Sequence, residues 1–128
     1  MDDDQRYQQG IALRKAVVGE KYVDGAIART TEQTADFQSL INRYVWGETW
    51  SRPGLDIPTR RLIVIVMLVA LGQEEELELH LQSAIEHGIE IDTLKEALLQ
   101  TAIYCGIPAA NKAFRVFASA VEKTRDPA

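Results

Sequence analysis

Apolar residues recur along most of this chain at spacings of three and four, the period of helices that bury one face, and no stretch makes a convincing strand. From Asp3 or Asp4 the pattern predicts a first helix with Tyr7, Ile11, Ala12, Val17 and Val18 at its apolar positions. Its acidic start suits the positive end of a helix, and Gly19 is a suitable stop. Residues 21–34 are weakly patterned and read as a connector holding a turn of helix at most. A second helix is expected from Thr34, whose hydroxyl could cap it, with Phe37, Leu40, Ile41, Tyr44 and Val45 as its stripe. Ser51-Arg52-Pro53-Gly54 then reads as a turn.

Asp56 is a good N-cap for a third helix, with Pro58 in the first turn, where its missing N–H is harmless. That helix holds the unbroken apolar run Leu62 to Leu71, which by propensity alone would equally suit a buried strand. The cap, the early proline and the length to Gly72 favour a helix. A helix apolar on every side must be covered on every side, which points to a subunit interface. The run is ten residues, against about 20 needed to cross a bilayer, so no membrane span is expected. Gln73 to His87 is the next helix, opened by Glu74, Glu75 and Glu76, striped by Leu77, Leu81, Ala84 and Ile85, and closed by Gly88. Another starts at Asp92 and passes through Leu94, Ala97, Leu98, Thr101, Ala102 and Cys105 to Gly106. Pro108 opens the last, with Ala110, Ala113, Phe114, Phe117 and Val121 on one side. The expected fold is all-α: a compact bundle of five to six helices forming a single domain over residues 1–128.

Composition narrows the function classes. The net charge is -5, from 19 acidic and 14 basic residues, and the basic ones are scattered, so nucleic acid is a poor partner. The one cysteine, Cys105, excludes an internal disulfide, a zinc knuckle and a C-x-x-C redox centre, and a reducing cytoplasm fits best. Met1-Asp2-Asp3-Asp4 is acidic where a signal peptide would be basic, so export is not expected.

Three places could carry chemistry. His80 follows a glutamate-rich turn with Glu76 four residues before it, and an imidazole beside a carboxylate can be held in one tautomer and donate a proton. The bland alternative is a half-exposed surface histidine. His87, just before Gly88, suits a helix C-terminus, and Glu76, His80 and His87 make only a loose metal set. The stretch from Arg43 to Gly54 packs Tyr44, Trp46, Trp50, two arginines and Glu48 ahead of a rigid turn, a mix suited to a small anionic ligand or to an aromatic anchor. One of Arg60 and Arg61 should face the interior and want a carboxylate. Cys105, with no second thiol or adjacent base, reads as a small core residue.

The same residues carry a family likeness. The segment from Arg43 to Asp56, Thr59-Arg60, the block from Val69 to Leu77 with His80, and the block from Leu98 to Asn111 together resemble the carboxymuconolactone decarboxylase family over about residues 6–117. The wider superfamily includes the alkyl hydroperoxidase D proteins, which carry a C-x-x-C pair with a histidine four residues on. Here the histidine matches His80, but the cysteine positions fall on Gln73 and Glu76, so thiol peroxidase chemistry loses both sulfurs. The resemblance implies an alkyl hydroperoxidase D-like helical fold, a homohexamer, and cofactor-free decarboxylation of 4-carboxymuconolactone to 3-oxoadipate enol-lactone in protocatechuate catabolism, with no metal. On that basis His80, Glu48 and Arg60 are the expected catalytic residues, and Arg52, Trp46, Trp50 and Glu76 line the substrate. His80 would deliver the proton, supported by Glu76 or Glu48. The competing readings are a related lyase or isomerase acting on another lactone acid and a non-enzymatic helical interaction protein.

Overall fold

The structure is a computed structural model that describes residues 1–125. Among these residues the chain forms seven α-helices and one π-helical segment, with no strand, which agrees with the all-α expectation. It divides into two compact units, Met1–Ile57 and a second that begins at Pro58.

In the first unit α1 spans Asp3–Val18, beginning where expected, with Asp2 as its N-cap. The Asp2 carboxylate accepts from the Gln5 amide at 2.8 Å, and the Gln5 side chain accepts from the Asp2 amide at 3.0 Å, a reciprocal cap. Gly19, at φ 105°, ends the helix in a conformation that a side chain would strain. A second helix, α2 (Glu20–Ala28), begins at once. The connector expected here is therefore mostly helical. Its pattern was faint because only Val23 and Ala26 are buried, and the helix leans on α1 for its stability.

Helix α3 covers only Ala35–Leu40 and passes without a break into a π-helical segment, Ile41–Thr49. The Thr34 hydroxyl does not cap α3; it accepts from the Thr31 amide at 2.9 Å. The inward face is not the expected stripe. Asn42, Trp46 and Gly47 are buried, whereas Phe37, Leu40, Tyr44 and Val45 of the expected stripe are exposed. Helix α1 lies closely along this segment. A Cβ at Gly10 would strike the Asn42 carbonyl oxygen, and one at Gly47 would strike the Arg6 carbonyl, so two glycines let the backbones touch. Arg14, buried in the contact, donates to Asn42 Oδ1 at 3.0 Å and to Gln38 Oε1 at 3.2 Å, which satisfies polar groups the close approach shuts away from water.

The second unit contains α4 (Ile57–Leu71, entering from the first), α5 (Glu74–Glu86), α6 (Ile91–Tyr104) and α7 (Ile107–Thr124). The β-branched run is helical, as its cap and proline suggested. Gly72, Gly88 and Gly106, all at positive φ, separate the four helices. Ile65, Val69, Leu77, Leu81, Leu94, Leu98 and Phe117 join three alanines in one core. Helix α4 buries a single stripe, Arg61, Ile65 and Val69, while Met67 and Leu71 remain 55% and 70% exposed.

Candidate active site

The two units hold separate parts of the expected site. In the first, the π winding buries Trp46 and Trp50 and stacks their rings at a centroid distance of 4.7 Å and an angle of 29°. The Ser51 hydroxyl donates to the Trp46 carbonyl at 2.7 Å and ties the end of the segment. Glu48 is half exposed between two cations, with Arg6 Nε at 3.6 Å and Arg52 Nη1 at 3.8 Å. Trp50, Ser51 and Arg52 border a broad depression of about 750 Å³, with Gln9 and Leu13 on its α1 side. Arg52, two-thirds exposed, is part of the wall of this depression.

In the second unit His80 is not a surface residue. It is 7% exposed, and its Nδ1 is buried without a hydrogen-bond partner. Burial, aided by the nearby Arg61 charge, pushes its pKa down to about 4. The imidazole is thus uncharged at neutral pH. Glu76, one turn earlier on α5, is exposed to solvent, and it is the Arg61 cation rather than a carboxylate that bears on the ring. Of the two arginines at the start of α4, Arg61 is the interior one, 3% exposed, and Arg60 is half-buried. Arg61 Nη1 donates to Ser83 Oγ at 3.3 Å. The His87 ring approaches the Ser83 carbonyl at 2.7 Å through Nδ1, closing the end of α5.

The structure therefore brings together Trp46 with Trp50 and Glu48 with Arg52 in one unit, and His80 with Arg61 in the other. Arg61 is the functional candidate that the sequence left undecided. Its spacing of four and eight before Ile65 and Val69 was the available signal, but the adjacent Arg60 could be read the same way. Among the described residues no group of three histidine, cysteine or acidic side chains is placed to hold a metal ion. Cys105 is a half-buried free thiol at the end of α6. It borders an apolar groove of about 410 Å³ with Met67 and Tyr104.

The buried neutral ring makes stability depend on pH. Between about pH 4 and the unfolded histidine value near 6.5, the unfolded chain binds the extra proton, so stability rises with pH through this window and is lost as pH falls. The full effect is about 3 kcal/mol at 1.4 kcal/mol per unit. Denaturant titrations at pH 7 and pH 4.5 should show wild type losing more stability than His80→Gln on acidification. Equal losses in the two proteins would contradict a neutral buried ring.

Comparison with known proteins places these features in a family. Residues 35–119 match the profile described as the carboxymuconolactone decarboxylase family. A 4-carboxymuconolactone decarboxylase from Acinetobacter baylyi is 45% identical over 116 residues, covering 91% of this chain and 87% of the relative. The nitrosuccinic acid decarboxylase of Metarhizium robertsii is 37% identical over 110 residues, 86% of this chain and 77% of that protein. A 48-residue match to a Pseudomonas putida 4-carboxymuconolactone decarboxylase, at 35% identity, covers 38% of this chain and all of the relative. With more than half its length matched by the family profile and a relative of this identity covered almost end to end, the chain belongs to the carboxymuconolactone decarboxylase family.

Proposed function

We propose that this protein is a cofactor-free carboxy-lyase that converts 4-carboxymuconolactone to 3-oxoadipate enol-lactone and CO₂ in protocatechuate catabolism. The observation that carries the reading is the 45% identity to the Acinetobacter baylyi decarboxylase over 91% of the chain. The chemistry needs no external electron sink. When the ring carboxylate leaves as CO₂, its bonding electrons spread through the ring double bond onto the lactone carbonyl, and a proton at the carbon next to that carbonyl completes the product. The protein must hold the substrate, stabilise the oxyanion and deliver one proton.

His80 is the proposed proton donor. Its ring is neutral in the empty protein, and a dianionic substrate beside it favours the imidazolium, so the proton is taken up with the substrate. Arg60 and Arg52 are assigned to the acetate arm or the developing oxyanion, with Glu48 orienting Arg52 through their ion pair. The stacked Trp46 and Trp50 give an apolar surface against which a leaving carboxylate loses its water. Glu76, exposed on α5, is assigned to the substrate lining by the family resemblance alone. A homo-oligomer, a hexamer by family resemblance, and a cytoplasmic location complete the reading. Ile103, Tyr104 and Ile107 are 70–83% exposed, and Tyr104 shares a groove with Met67 of α4, which supports association.

The test is incubation of the purified protein with enzymatically prepared 4-carboxymuconolactone, following substrate loss and CO₂ release. Stoichiometric CO₂ is expected. The relative acting on nitrosuccinic acid favours one competing reading, a decarboxylase for another acid whose carbanion is delocalised. Turnover of nitrosuccinate but not of the lactone would select it. No turnover of either acid, with no dicarboxylate bound, would leave an interaction protein. Cys105→Ser should keep turnover within about twofold, because the thiol has no partner sulfur and no part in proton delivery. A loss of activity in that variant would reopen thiol chemistry.

A further inference from the structure

Arg61 is a permanent cation in an apolar setting. It projects from α4 on the same stripe as Ile65 and Val69, and only 3% of it is exposed. Among the described residues no carboxylate lies within ion-pair distance of it, and its Nη1 donates to a neutral hydroxyl, Ser83 Oγ. A guanidinium carries five donors in a planar fork matched to a carboxylate, and burying its charge without an anion is expensive.

One turn before Ser83 on α5 stands His80, 93% buried by its 7% exposure, with its Nδ1 unpartnered. A buried ring nitrogen without a partner is a second, independent sign of a place built for a polar visitor. Two such groups side by side do not stabilise the empty protein, since each raises the penalty on the other's positive charge. An anion between or beside them relieves both at once.

We propose that Arg61 is a positioning residue for the anionic substrate, its buried guanidinium drawing one carboxylate to the His80 imidazole. The inference rests on the decarboxylase reading for the identity of that anion, and it adds a residue to the substrate-holding set. Arg61 has no proton to give at working pH, so its action is on binding and on the orientation of the acid beside the ring.

The test uses succinate, a dicarboxylate without the lactone, as the probe. In wild type, succinate at fixed pH should shift the ring ¹⁵N resonances of His80 saturably. His80→Gln assigns those signals against the other histidine, His87. In Arg61→Gln the succinate shift should vanish and KM for the lactone should rise at least tenfold with a smaller change in kcat. Arg61→Lys, which keeps charge without the fork, should recover part of both. A wild-type spectrum unmoved by succinate overturns the proposal, as does a folded Arg61→Gln protein with unchanged KM. Should Arg61→Gln fail to fold, the wild-type titration and the lysine variant decide. If the lactone is not turned over but the succinate shift depends on Arg61, the anion site stands and the substrate assignment falls. If the lactone is turned over and Arg61→Gln keeps its KM, the proposal falls and the decarboxylase reading stands.

Discussion

Replacing His80 with glutamine should lower kcat for the lactone by at least a hundredfold, the scale on which a positioned general acid contributes about 10²–10⁴. Glutamine fills a similar space and can still hydrogen-bond, so the fold should survive; what it lacks is a proton to transfer. The pH profile gives a second readout that a packing role would not move. In the free protein the ring titrates at about 4, so kcat/KM in wild type should decline with rising pH above that value. In the complex the substrate's negative charge raises the ring's pKa, so kcat should hold to higher pH before it declines. Both dependences should disappear in His80→Gln. A variant with full turnover and the wild-type profile would remove His80 from proton delivery altogether.

The position of His80 also shows what one sequence can and cannot disclose. The helix that carries it was legible, because Leu77, Leu81 and Ala84 repeat at helical spacing and all three are buried. The same spacing places His80 beside Leu81 and one turn after Leu77, on the buried side, so its burial was implicit in the stripe. The neighbouring Glu76 offers a competing pattern, since a carboxylate four residues before a histidine is a familiar pair. The structure leaves that glutamate in solvent. Which of Arg60 and Arg61 turns inward depends on the phase of α4, and an all-apolar run blurs the phase that a polar face would have marked.

The first unit was harder to read for a different reason. An α-helical period of 3.6 assigns Phe37, Leu40, Ile41, Tyr44 and Val45 to one face, and that assignment assumes the winding it is meant to detect. The segment instead winds with hydrogen bonds that span five residues, as from the Trp50 amide to the Val45 carbonyl at 2.9 Å. Asn42, Trp46 and Trp50, each four residues apart, are the buried side chains. The tryptophan-rich stretch was recognisable as chemically unusual, but the stack of its two rings follows from backbone geometry that no residue pattern announces. Pairing with α1 holds this winding in place, and the two glycines at the contact are what permit it.

Gly10→Ala should therefore be among the most damaging small substitutions in the chain. In an ordinary helix interior this change stabilises by roughly 0.5–1 kcal/mol, because alanine loses less backbone entropy on folding. Here the new Cβ would collide with the Asn42 carbonyl oxygen and lie 2.9 Å from the Gly47 amide nitrogen. Both obstacles are backbone, which cannot rotate aside, so α1 must move away from the π segment. That would also break the bonds from Arg14 to Asn42 and from Gln9 to the Gly47 carbonyl. The expected net loss is about 3 kcal/mol, at the upper end for overpacking. Intrinsic fluorescence is a suitable probe, because both tryptophans lie in this unit. Its urea midpoint should fall sharply in Gly10→Ala. Gly25→Ala provides the control, since its Cβ would meet only the mobile Arg29 guanidinium, at 3.1 Å. That variant should be neutral or slightly stabilised. If the two substitutions shifted the midpoint alike, close backbone contact at Gly10 would not be what sets the winding of the tryptophan segment.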